Sequence, residues 1–167
     1  KEVKMEWDEG ENAKVSTDSI KAFLQEGLTS QEGVFVGNKA GNADEALAGA
    51  AKKLEATYYS PFQNHACMEP MNCTALVTAD KCEVWVATQN AEAALASAAA
   101  AAGLDASKCE VYRLHLGGGF GRRGNFQDYV TKGVLLAKQL PGVPVKTIWS
   151  REEDMRQGRH KPIGLCK

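Results

Sequence analysis

Residues 114–123 read LHLGGGFGRR. Three glycines run together, followed by Phe120, a fourth glycine and two arginines. Ordering such a run is costly, because glycine loses more backbone freedom on folding than any other residue. Its surroundings say what requires it. Before it, 108–116 alternates, with Val111, Arg113 and His115 on one side and Tyr112, Leu114 and Leu116 on the other, which predicts a strand. After it, 126–139 reads as a helix. A glycine joint between strand and helix brings bare backbone N–H groups to the carboxyl end of a strand, where ligands bind in open α/β sheets.

The pattern continues outward on both sides. The β-rich runs 72–78 and 82–88 flank Ala79-Asp80-Lys81 and predict a hairpin. Asn90 is placed to cap an alanine-rich helix over 91–102, and Gly103 to close it. Pro141-Gly142 turns the chain into a strand over 143–149, and Ser150 with Glu153 forms a capping box. Strand, helix, strand, glycine loop, helix, strand implies a partly parallel sheet with right-handed crossovers. Nearer the start, a strand over 3–7, a helix over 17–27, a strand over 33–36, a helix from Asn42 to about Leu54 and an extended run over 57–60 are expected. Residues 158–167 carry no clear element. The expected fold is α+β (mixed α/β), one domain over 1–167, with a partly parallel sheet and crossover helices.

Composition sets outer bounds. Of 167 residues, 44% are hydrophobic and 25% charged, with a net charge of −1, which argues against nucleic acid or a membrane surface recognised by bulk charge. No apolar run approaches the roughly 20 residues that span a bilayer. Cys67, Cys73, Cys82, Cys109 and Cys166 show no CxxC spacing and read as free thiols with at most one chance disulfide. The chain opens without Met and already strand-like, which reads as an internal piece of a longer protein, so compartment is not inferred from a missing signal.

The glycine run fits the GxGxxG dinucleotide fingerprint only in part, since Arg122 stands at the third glycine, and no Gly-Lys-Ser/Thr completes a P-loop. The physical logic survives: glycines let N–H groups approach an anion or oxo group, and Arg122 and Arg123 add two permanent charges. A tight turn with two solvated arginines satisfies the same residues. So does a stand-alone anion- or nucleotide-binding module using residues 117–123, or an interaction domain without a ligand.

Four segments in order narrow these readings: HACMEPMNCTA at 65–75, VWVATQ at 84–89, GGGFGRR at 117–123 and PVKTIWSRE at 144–152. The series resembles the molybdopterin-binding subunit of the xanthine dehydrogenase and aldehyde oxidase family, closest to the bacterial branch with isoquinoline 1-oxidoreductase beta subunits and membrane-associated aldehyde dehydrogenases. The resemblance implies a molybdenum–molybdopterin cofactor, including its cytosine dinucleotide form, and hydroxylation of N-heterocycles or aldehydes with oxygen drawn from water. It implies an iron–sulfur subunit and an electron acceptor as partners. Gln89 matches the glutamine that hydrogen-bonds an oxo ligand of molybdenum. Gly118, Gly119, Phe120 and Gly121 match the loop whose amides approach metal and pterin. Arg122 replaces a glycine of xanthine dehydrogenases but fits the bacterial branch. Gly124 stands where some relatives place a substrate-binding glutamate. His65, Met68, Glu69 and Pro70 match a motif of structural support. The family's general base belongs near the end of a longer chain, so no catalytic residue is expected here and the piece alone is expected to be inactive.

Other chemistry-bearing residues have plain readings. His65 with Cys67 lacks an orienting group and reads as packed support. His115 reads as core or turn-satisfying, His160 as exposed, and Trp85 and Trp149 as core. Arg151, Glu152, Glu153, Asp154 and Arg156 read as a solvated face or a domain contact.

Overall fold

A computed structural model describes residues 4–167. It divides into two compact units, one formed by Gln63–Lys161 and the other by the residues before and after that span.

In the larger unit, β2 (Asn72–Val77) and β3 (Cys82–Ala87) form the expected antiparallel hairpin. Thr78 closes its turn, its N–H donating to the Lys81 carbonyl at 2.8 Å. Helix α3 (Ala91–Ala102) carries the chain to β4 (Cys109–Leu114), which pairs in parallel with β3. Asn90 caps α3 by accepting the Ala93 N–H, and Gly103 ends it in the left-handed region at φ 74°, a conformation that costs glycine nothing. Helix α4 (Asp128–Ala137) then returns the chain to β5 (Val145–Ile148), and the sheet order is β4-β3-β2-β5. Because β2 is antiparallel to both β3 and β5, the strands β3, β4 and β5 share one direction. The partly parallel sheet with two crossover helices is as expected.

The core follows from two periodicities. Cys73, Ala75 and Val77 alternate on β2, and Cys82, Val84 and Val86 on β3. Against them pack Ala94, Ala98 and Ala102 of α3 and Val130, Val134 and Ala137 of α4, spaced three or four apart. Trp149 is buried as expected. Trp85 is not core: it lies on the opposite sheet face, half-buried, stacked on Tyr112 with ring centroids 5.0 Å apart. Alternation along β3 puts Val84 and Val86 inward and so turns Trp85 outward.

Helix α5 (Arg151–Arg156) starts on Ser150, whose hydroxyl accepts the Glu153 N–H at 3.1 Å. It is not simply a solvated face, since Asp154 is buried and paired with Arg151 at 2.9 Å.

The smaller unit departs further from expectation. The strand expected over 3–7 begins outside the described residues, and 4–7 form none. Helix α1 (Thr17–Gly27) is as read, capped by Ser16. Helix α2 (Ala43–Gly49) starts on Asn42 but ends well before Leu54, and 33–36 form no strand, with Phe35 exposed. These segments had local signals but no partner to bury against. Conversely, β1 (Tyr58–Ser60) pairs antiparallel with β6 (Gly164–Cys166), a strand not expected in the last residues.

All five cysteines are free. No helix among the described residues is long and apolar enough to cross a membrane, and no cluster of three or more His, Cys, Asp or Glu there could hold a metal ion.

Candidate cofactor-binding loop

Strand direction gathers the motifs at one end of the sheet. The carboxyl ends of β3 and β4 release Gln89 and the glycine run there, and β2, running the other way, begins there just after Glu69 and Met71.

Three successive peptides of the run are tied by their carbonyls. The Gly117 carbonyl accepts the Glu69 N–H at 3.0 Å. The Gly118 carbonyl accepts Nε of Arg123 at 2.9 Å. The Gly119 carbonyl accepts the Arg122 N–H at 2.8 Å and the Cys67 thiol at 3.3 Å. A trans peptide directs its N–H opposite to its C=O, and no peptide among the described residues is cis. Tethering these carbonyls therefore turns the N–H groups of Gly118, Gly119 and Phe120 the other way, and none of the three has a protein acceptor among the described residues. The flanking amides are used: Gly117 donates to Glu69 Oε2 at 2.9 Å and Gly121 to Gln89 Oε1 at 3.1 Å.

Glycine is required here by space as well as by angle. A Cβ at Gly119 would stand 2.6 Å from the Gln89 amide carbon and oxygen. Gly118 and Gly121 hold φ of 101° and 95°, and Phe120 enters the left-handed region at 53° with its ring exposed.

Both arginines lie behind the loop, not in solvent. Arg122 is 5% exposed and forms a two-pronged pair with Asp128 at 2.7 and 2.9 Å. Its guanidinium lies 5.6 Å from the Trp149 ring centre and 5.8 Å from that of Tyr129. Arg123 is fully buried and also donates to the Ala87 and Glu69 carbonyls and to Glu69 Oε2. The expectation of two anion-facing charges overlooked these carboxylates, which stand far off in sequence or hidden in the next helix. The Arg123 carbonyl is held in turn by the Gln89 N–H at 3.0 Å and by Nε2 of buried Gln127 at 2.9 Å.

Glu69 ties the pieces together. Asn72 donates to its other oxygen at 2.9 Å. Burial pushes its carboxyl up, but the hydrogen bonds from Asn72 and Gly117 and the Arg123 charge outweigh that and hold it below the ordinary value. His65 Nδ1 is buried without a hydrogen-bond partner among the described residues; burial and the nearby Lys161 and Arg122 charges push its imidazole down, favouring the neutral form. His115, expected in core or turn, is exposed; His160 is exposed as read. Sequence reasoning gave Arg123 only an anion-facing charge, not a bracing role, and the signal for Glu69 was only its place in a motif.

The sequence profile of the molybdopterin cofactor-binding domain family matches residues 28–165. The chain belongs to this family. A membrane-bound aldehyde dehydrogenase (pyrroloquinoline-quinone) of Gluconacetobacter polyoxogenes is 32% identical over 155 residues, 92% of this chain and 20% of that protein. The isoquinoline 1-oxidoreductase subunit beta of Brevundimonas diminuta is 27% identical over 154 residues, 92% of this chain and 18% of that protein. The chain thus spans about a fifth of the length of these relatives. In the solved aldehyde oxidoreductase of Desulfovibrio gigas, a shared fold covers 70% of this chain and 13% of that one, with a TM-score of 0.52 and 21% identity. The resemblance to the family and the mixed α/β fold are both borne out.

Proposed function

We propose that the chain is the part of a molybdenum hydroxylase large subunit that holds the molybdopterin cofactor, with Gln89 and the Gly118–Arg122 segment as its contacts. The observation that carries this reading is the row of three N–H groups, on Gly118, Gly119 and Phe120, left without acceptors among the described residues beside an exposed Gln89. Successive amides of this kind suit a bulky anionic ligand rich in oxygen acceptors. Gln89 keeps its Nε2 group for such a ligand while Oε1 fixes Gly121. Arg122 acts from behind, its N–H holding the Gly119 carbonyl. The bound cofactor supplies the redox chemistry, hydroxylating a substrate carbon with oxygen from water while electrons pass to another centre. The chain's own residues bind and orient; none is assigned a catalytic role. The names of the two relatives support an N-heterocycle or an aldehyde as substrate class, an iron–sulfur subunit and electron acceptor as partners belong to the same reading, and the cytosine dinucleotide form of the pterin is part of it. The chain by itself is proposed to be inactive, because one wall of a cradle lacks the preorganisation of the whole.

The test is cofactor retention. In the holoenzyme carrying this chain, Gly119→Val should collide with Gln89 and lower bound molybdenum and pterin about tenfold, and Gln89→Ala should lower turnover. Elemental analysis and the oxidised pterin's fluorescence read the first result, and a quinone in the extract instead of pterin would overturn it. Calorimetric titration of the 167-residue chain with phosphate and nucleotides addresses the alternative of a stand-alone anion-binding module: micromolar binding lost in Gly119→Val would favour the module.

A further inference from the structure

The buried Arg123 guanidinium has a place in this architecture that its burial alone does not explain. A cation with no exposed surface is expensive unless it is paired and fully hydrogen-bonded. Here the expense is met by four acceptors drawn from three separate segments: the Ala87 carbonyl at the end of β3, the Glu69 carbonyl and carboxylate ahead of β2, and the Gly118 carbonyl in the loop. Packing requires none of these directions. Only the bond to Gly118 acts on the loop, and it acts on the central one of the three tethered peptides. That peptide unit contains the Gly119 N–H, so holding its carbonyl inward sets the direction of that amide. Glu69 fixes the guanidinium by its carboxylate at 2.9 Å and fixes the preceding peptide by its own N–H at 3.0 Å.

We infer that Arg123, locked by Glu69, is the positioning residue of the loop: it holds the Gly118–Gly119 peptide so that the Gly119 amide faces the cofactor. The inference rests on the cofactor-holding reading above. It needs a planar fork. Nε serves Gly118 while Nη1 and Nη2 serve Ala87 and Glu69, directions that a lysine ammonium cannot reproduce together.

The experiment compares Arg123→Lys and Glu69→Gln with the unaltered protein at two levels. In the 167-residue chain, the amide resonance of Gly119 is followed by heteronuclear NMR. In the holoenzyme, molybdenum and pterin content and the paramagnetic signal of the reduced metal are measured. Arg123→Lys should displace the Gly119 resonance more than those of amides in α3, lower cofactor content about tenfold and alter the signal of what remains bound. Glu69→Gln should do the same to a smaller extent, and it carries the test if the lysine variant does not fold. A Gly119 resonance that stays in place in a folded variant overturns the positioning role. A displaced resonance with unchanged cofactor content and signal overturns its direction toward the cofactor. Full cofactor retention in Gly119→Val strikes the parent reading instead, and so separates the two failures.

Discussion

Gly133 of α4 lies directly on Cys73 of β2: a Cβ at position 133 would stand 2.9 Å from the Cys73 sulfur and 3.0 Å from its Cβ. Helix α4 reaches the sheet this closely because a hydrogen faces the thiol where any other residue would place a carbon. In an exposed helix, alanine would gain about 1 kcal/mol over glycine.

At this contact the sign reverses. Gly133→Ala should destabilise the chain by about 1 kcal/mol, overpacking outweighing helix propensity. Urea unfolding of Gly133→Ala, Cys73→Ala and the double variant should show that the two changes are less costly together than their sum. Strict additivity would mean that the contact is not tight.

Asp154 and Arg151 should respond unequally to deletion. Asp154 is 3% exposed and its carboxylate has Arg151 as partner, whereas the Arg151 side chain is 38% exposed and also donates to the Cys67 and Met68 carbonyls. Arg151→Ala strands a buried carboxylate and frees the segment beneath the loop. Asp154→Ala leaves an arginine that water can still reach. The first should cost about 2 kcal/mol and clearly more than the second in denaturant unfolding.

Acid should weaken the chain through Glu69. Its carboxyl is held below the ordinary value of 4.5, so near that pH the folded state binds fewer protons than the unfolded one. The stabilisation is therefore complete above 4.5 and disappears as pH falls through the lower folded value. The thermal midpoint of the unaltered chain should exceed that of Glu69→Gln at neutral pH, and the gap should close as pH falls below 4.5. A gap that persists unchanged into acid would contradict the assignment.

Thiol chemistry should follow burial. Cys73 is pushed up to about 12 and Cys82 to about 11, both chiefly by burial, while Cys166 is exposed. Under native conditions at pH 8 a maleimide should label Cys166 first and leave Cys73 and Cys82 unmodified, as peptide mass mapping would reveal.

Local signals carried most of the larger unit. Asn90 and Gly103 bracket α3, alternation marks β2, β3 and β4, and Ser150 starts α5, each within a few residues of where it acts. The glycine run was legible because nothing else in the chain costs so much backbone freedom. The residues that brace it were not. Arg123 reads as a surface charge until Glu69, 54 residues earlier, is brought beside it. Strand β6 was missed for the same reason, since only Tyr58–Ser60 gives it a partner. In the other direction, Gly33–Val36 has strand composition but no neighbouring strand, so composition alone did not suffice.

The loop's amides are electropositive without any net charge behind them, since Arg122 and Arg123 are each neutralised by a carboxylate. The potential of peptide dipoles falls off faster with distance than that of a bare ion. Such a surface has little long-range reach: it grips at contact and steers almost nothing from afar. Loading should accordingly vary weakly with ionic strength and depend on handing over the ligand at close quarters.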